Sequence, residues 1–167
     1  MPAERPGAPA TSPGPRLTRR LESALRREGL KVKQVRARGH VAPTVWVGTL
    51  GSSLPQPDRD APWGLTPEPD CPEALSFTPR AREQLDRHDR QQVVLTLTRQ
   101  VLEEVPRPRL WLSRSGAPDP CPEDLRWFAA ADEAWHDLGL VPDYAVITRE
   151  GWCLLPSGLL RRWRRLR

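Results

Sequence analysis

Lysine is almost missing from this chain. Of its 26 basic residues 24 are arginine, and only Lys31 and Lys33 are lysine. A phosphate-loop NTPase, a Schiff-base enzyme or a nuclease with an essential lysine would have to use one of these two. Neither stands in a Gly-rich loop or a GK[ST] pattern, so those classes are set aside. Large aliphatic residues are also scarce: Leu, Val, Ile and Phe make up 36 of 167 residues. That lies just above the level below which a charged chain stays disordered, so one modest core is expected. No apolar run approaches the roughly 18 residues of a membrane-spanning helix, so no transmembrane segment is expected. Cysteine is limited to Cys71, Cys121 and Cys153. An odd number without a CxxC pair argues against a disulfide framework or a zinc ribbon, and for a reducing, cytoplasmic location. The opening residues lack the apolar stretch of a secretory signal, and Glu4, Glu22 and Glu28 argue against an organellar transit peptide.

What the chain has in quantity is positive charge at its ends. Residues 1–40 carry a net charge of +7 and residues 157–167 a net of +5, around a middle of −7. Basic ends on an acidic body suit a polyanion partner. They equally suit two helices that fold back onto the acidic surface.

Proline marks the organisation. Five prolines fall in residues 1–15, seven in 55–79 and five in 106–122. These clusters predict a disordered tail over 1–15 and long connections at about 52–78 and 106–121 within one domain over 16–167. Leu17, Leu21, Ala24 and Leu25 recur at helical spacing and predict a first helix ending at Gly29. KVKQVRAR and PTVWVGTL read as two strands around a turn at Gly39. Thr78 and Pro79 look like the cap and first residue of a second helix running to Val105, although its VVLTLT stretch could also form a strand. RLWLS (109–113) reads as a strand. Pro122, Glu123 and Asp124 open a third helix that Gly139 closes. DYAVIT and GWCLLP read as a hairpin. SGLLRRWRRLR reads as a final helix capped by Ser157, with Leu159, Leu160, Trp163 and Leu166 on one stripe. The order predicts an α+β (or small α/β) fold: a mixed sheet of about four or five strands packed by about four helices.

LSFTPRAREQLDRH (75–88) resembles the first strand and helix of the ribosome-dependent ribonuclease toxins of bacterial toxin–antitoxin pairs. The resemblance would imply a small RNA-cleaving domain. The rest of the chain departs from that family, with no Arg- and Tyr-rich antiparallel sheet downstream, and no functional residue carries over.

Few groups could carry chemistry. Asp132 and His136 share a helix face at i, i+4, and with Asp143 and Glu150 form the one candidate for a metal-dependent enzyme or hydrolase; the bland alternative is a surface ion pair. The PD at 142–143 would suit a metal-dependent nuclease, but no lysine follows it. Cys153 alternates with apolar neighbours and reads as core, and Ser52 and Ser53 lack a nucleophile elbow. No catalytic residue, metal or cofactor is therefore assigned. Trp163, flanked by arginines, could stack on bases, dock its own segment or meet an anionic membrane. Three readings follow. The first is nucleic-acid binding, DNA-binding included, through Arg161, Arg162, Trp163, Arg164, Arg165 and Arg167, supported by Arg19, Arg20, Arg26, Arg27, Lys31 and Lys33. The second is a non-catalytic adaptor or regulatory subunit with a protein partner, suggested by the Pro-rich connections and Trp63. The third is the enzyme using Asp132, His136 and Asp143.

Overall fold

In the computed structural model, residues 17–34, 41–51, 65–67, 74–81 and 83–164 are described. In chain order they form α1 (Arg19–Gln34), β1 (Thr44–Gly48), β2 (Leu65–Pro67), β3 (Ala74–Phe77), α2 (Arg87–Leu102), β4 (Arg109–Arg114), α3 (Pro122–Asp137), β5 (Tyr144–Thr148), β6 (Gly151–Leu155) and β7 (Leu159–Arg162). The fold is α+β. The strands make one mixed sheet in the order β2-β3-β1-β4-β5-β6-β7. Every pairing is antiparallel except β4 with β5, which are parallel and joined through α3.

Both sheet faces are covered, and strand alternation sorts the side chains between them. Val45, Leu112, Val146 and Cys153 sit in one cross-strand row and face a core closed by α2 and α3. Trp111, Ala145, Ile147 and Trp152 face the other way, into a second core closed by α1. Trp111, Trp127, Trp135 and Trp152 are almost fully buried. With a single Ile and Met and two Phe in the whole chain, tryptophan supplies much of the core volume, each side chain burying on the order of 200 Å².

The helices show why these residues fold as they do. In α3, Cys121 stands at the N-cap, Pro122 follows, and Glu123 and Asp124 occupy the first turn. The VVLTLT stretch is helical, as the spacing of Val94, Leu97 and Val101 implies, because burial against α3 and the sheet overrides its β propensity. The α2 start differs from expectation. Thr78 bonds through its hydroxyl to that of Thr44 on β1 at 2.9 Å, so it cannot cap a helix. Asp86 does so instead, in a reciprocal capping box with Asp89. The segment resembling ribonuclease toxins is thus a strand, a turn and only then a helix.

Two further expectations are corrected. The first helix does not stop at Gly29 but runs to Gln34, so KVKQ is helical; the remainder of that predicted hairpin lies outside the described residues. Gly29 is tolerated because Trp163 packs on it: a Cβ there would meet the indole Nε1 at 3.3 Å. The absent side chain lets the ring approach, which offsets the roughly 1 kcal/mol that glycine costs a helix. The final helix does not form. Residues 159–162 are the edge strand β7, so there are seven strands and, among the described residues, three helices. Pro156 interrupts the segment, Gly158 turns it at φ +70°, and Ser157 Oγ accepts from the Leu159 amide rather than capping a helix. Helix would also crowd five arginines with no acid among them, whereas the strand delivers Arg161 to Glu22 and Arg162 to Asp119. The predicted tail over 1–15, His40, Trp63, Cys71, Arg165, Leu166 and Arg167 lie outside the described residues.

Trp163 is half-buried against α1 and the second core, so it holds its own chain rather than standing free. Trp163→Ala is expected to lower unfolding stability by about 2–3 kcal/mol, below the figure for full burial. Denaturant unfolding checks this, and an unchanged midpoint would show that the indole does not anchor β7 to α1.

Candidate arginine cleft and the buried knot behind it

A concave feature lies where the ends of β1 and β4 meet the first turns of α1. Gly48 and Arg109 are paired at that end of the sheet. Above them Thr18 accepts the Leu21 amide at 3.2 Å and so starts α1, which sets Arg20, Ser23 and Arg27 over the sheet end. The cleft has a volume of about 620 Å³, and four arginines line it: Arg20, Arg27, Arg107 and Arg109. Among the described residues no Asp or Glu lines it.

Local geometry fixes these cations. Gly51, at φ +97°, turns the chain directly under α1; a Cβ there would lie 3.4 Å from Ala24 Cβ and 3.5 Å from Arg27 Nη2. Glycine is required here both by its backbone angle and by the approach of the helix. Arg107 stands between Pro106 and Pro108, in a bend that leads into β4. Arg109 is neutralised by Asp143 at 2.5 Å. Arg20, Arg27 and Arg107 make no ion pair among the described residues and are exposed, so the cleft keeps three uncompensated charges of one sign.

The residues expected to bind nucleic acid divide into two sets. Arg19, Arg20, Arg26 and Arg27 lie exposed along α1, and Arg20 and Arg27 enter the cleft. The others are largely occupied elsewhere. Arg161 pairs with Glu22 and Arg162 with Asp119. Lys31 bonds Glu28 at 3.2 Å and the Gly51 carbonyl at 3.4 Å. Lys33 and Arg164 are exposed. The two basic ends do meet, because Arg161 and Trp163 both reach α1. Reading the sequence missed Arg107 and Arg109, which sit in a PRPR stretch that looked like mere connection.

The suspected acidic cluster does not assemble. Asp132 and His136 are exposed on α3, Asp143 is held by Arg109, and the Glu150 carboxylate lies 3.7 Å from the Arg149 guanidinium. Among the described residues no group of three His, Cys, Asp or Glu could hold a metal ion. Cys153 packs in the core, where burial, with Asp124 and Asp119 nearby, pushes its thiol up from its ordinary value.

The carboxyl ends of the parallel strands β4 and β5 are where such sheets commonly hold ligands. Here that end is filled by a buried ion pair. Arg114 donates through Nε to Asp124 Oδ1 at 2.8 Å and through Nη2 to Oδ2 at 2.6 Å. Its remaining donors meet the carbonyls of Ser115, Ala117 and Asp119, and Asp124 also accepts the Cys121 amide at 2.8 Å. Asp124 has no exposed surface. The hydrogen bond and charge of Asp124 raise the Arg114 pKa above its ordinary value. Every guanidinium donor is used, so the pair is structural. Tyr144, fully buried nearby, leaves its hydroxyl without a partner.

Comparison with known proteins adds no kinship: no family model, curated protein or solved structure matches the chain.

The knot makes two predictions. Asp124→Asn leaves a buried guanidinium uncompensated and is expected to cost about 3–5 kcal/mol in denaturant unfolding. A loss under 1 kcal/mol would show that the pair contributes nothing beyond its hydrogen bonds. Tyr144 answers to alkali. Burial pushes its phenol well above the ordinary value, with Asp124 adding to the shift. Above pH ~10 the unfolded chain releases this proton while the folded chain retains it, so stability falls as pH rises. Tyr144→Phe should therefore be neutral or stabilising at pH ~7 and should flatten the decline between pH ~10 and ~11. An equal decline in both proteins would assign the alkaline loss to other groups.

Proposed function

We propose that the protein binds nucleic acid, seating the phosphate backbone in the arginine cleft and along the outer face of α1. One observation carries this reading: among the described residues, Arg20, Arg27 and Arg107 converge uncompensated on a cleft of about 620 Å³ without a lining carboxylate. Guanidinium suits phosphate because its planar fork donates two parallel hydrogen bonds and keeps its charge at any working pH. A polymer fits better than a small anion. Arg19 and Arg26 repeat the seven-residue spacing of Arg20 and Arg27, two helical turns or about 10.5 Å, which a row of phosphates can follow and a single phosphate cannot. The acids of α1 do not cancel this row, since Glu22 pairs with Arg161 and Glu28 is buried beside Lys31. No base-reading constellation accompanies the arginines, so binding is through the backbone, with little preference among sequences.

The adaptor reading gains support from the free edge of β7, taken up below. The enzyme reading finds no support in the dispersed Asp132, His136 and Asp143.

Anisotropy titration of labelled DNA and RNA oligonucleotides over a salt series tests the proposal. Each lost phosphate contact lowers the log–log salt slope by about 0.7–0.9. The triple variant Arg20→Ala, Arg27→Ala, Arg107→Ala should lower it by about 2 to 3 units while melting as the wild type does, because all three side chains are exposed. Arg161→Ala should leave the slope almost unchanged. A wild-type protein that binds no oligonucleotide, or a triple variant with the same slope, would sink the reading.

A further inference from the structure

The sheet ends at β7, and among the described residues no strand pairs with its outer side. An open edge invites another strand unless the protein blunts it with proline or inward charge. β7 (LLRR) carries no proline, and Leu159 and Leu160 stay 38% and 37% exposed, one on each sheet face. Its two arginines are charged, but each is drawn back onto its own chain, Arg161 by Glu22 and Arg162 by Asp119. The positive charge that would repel a like edge is therefore compensated locally.

We propose that a second copy of this chain pairs with β7, antiparallel about a two-fold axis through Leu160, to give a continuous sheet across the dimer. Charge and strand overlap select this register, and hydrogen-bond parity admits it. Trp163 donates its amide to the Glu150 carbonyl at 2.8 Å, one position beyond the pairing of Arg162 with Gly151. Antiparallel ladders alternate between bonded and non-bonded pairs, so Arg161 and Leu159 turn their main-chain groups inward to β6 while Leu160 and Arg162 turn theirs outward. A two-fold register must place residues of the same sheet face opposite each other. Centred on Leu160, it sets Leu160 against its own copy and Leu159 against the aliphatic stem of Arg161, and Leu160 exchanges both main-chain hydrogen bonds. Centred on Arg161 or Arg162, it sets arginine directly against arginine, which is unfavourable. Centred on Leu159, the contact would leave β7 after a single residue of each copy, whereas the Leu160 register pairs residues 159–161 of both strands and opposes no arginine to its own copy. An acidic strand from another protein would find the arginines already paired, so the compensated edge favours a copy of itself. The contact is short and falls below the area of a stable permanent interface, so association is weak and concentration-dependent.

Cysteine scanning reads the register directly. Cα atoms in a bonded pair stand about 5.5 Å apart, within disulfide reach. Under mild oxidation Leu160→Cys is expected to form covalent dimer well above the wild-type background set by the native cysteines. Arg161→Cys and Arg162→Cys should not exceed that background. In sedimentation experiments Leu160→Lys should weaken the dimer at least tenfold. Leu159→Glu, which faces the stem of Arg161 rather than its own copy, should weaken it far less than Leu160→Lys, a difference that indiscriminate apolar sticking cannot give. Thermal melting confirms that each variant is folded. Covalent dimer from Arg161→Cys or Arg162→Cys in place of Leu160→Cys overturns the register. A wild-type protein that stays monomeric to its solubility limit overturns self-pairing and leaves the edge to a strand of a different partner.

Discussion

The buried pair of Arg114 and Asp124 is the constraint on which the rest of this fold is arranged. It sits at the only parallel junction among the described strands, where β4 must hand the chain to α3 before it returns as β5. Taking two charges out of water is costly, and the cost is met here only because both partners are saturated with hydrogen bonds. The consequence is specificity of shape. Arg114 gathers the carbonyls of Ser115, Ala117 and Asp119 around itself, which gives residues 115–121 one conformation. That loop then receives the β6–β7 hairpin: Asp119 takes Arg162, and Pro118 lies 2.9 Å from where a Cβ on Gly151 would stand. The position of the sheet's edge is thus set by a side chain three strands away.

The same economy appears in the cores. A chain with so few large aliphatic residues cannot fill two layers with leucine and valine alone, and this one fills them with indole. Trp111 and Trp152 pack under α1, Trp127 and Trp135 under the α2–α3 pair. Indoles bring polar N–H groups, and the two that find partners tie elements together. Trp135 donates to Thr98 between the helices at 3.0 Å, and Trp46 to Ser113 between β1 and β4 at 3.0 Å. Those of Trp111, Trp127, Trp152 and Trp163 find no partner among the described residues, a cost offset by the large apolar area each ring removes from water.

Much of this was legible in the residues. Strands at 44–48, 109–114, 144–148 and 151–155 and the helix at 122–137 follow from alternation, from Pro122 with its acidic first turn, and from the turn at Gly151. Two of the misreadings share a cause, a local signal spent on a distant partner: Thr78 looked like a cap and serves Thr44, and Gly29 looked like a stop and makes room for Trp163. Ser157 looked like a helix cap and instead closes a hairpin with its near neighbours Leu154 and Leu159. The C-terminal stripe of Leu159, Leu160 and Trp163 fits helix and strand equally over so short a span, and tertiary pairing decides. β2 and β3 were lost within a proline-rich stretch, apart from the short run at Leu75–Phe77. The cleft was half legible. Arg20 and Arg27 stood out in a basic helix, whereas Arg107 and Arg109 become visible only when the topology brings Gly48 beside Arg109.

Charge totals mislead here for the same reason. The C-terminal segment has the highest density of arginine, yet Arg161 and Arg162 end against Glu22 and Asp119 and present little uncompensated charge. The first helix holds two acids among its basic residues, but one is taken by Arg161 and the other is buried beside Lys31. Pairing the two basic ends through Glu22 therefore has a double effect. It removes the obstacle to stacking a second copy on β7, and it uses up an acid that would otherwise weaken the field of Arg19, Arg20, Arg26 and Arg27. Positive potential is displaced from the edge of the sheet toward the cleft beside β1 and β4. A phosphate backbone and a second subunit would then occupy different surfaces of one molecule. In a two-fold dimer the two clefts, one from each copy, would flank a single continuous sheet.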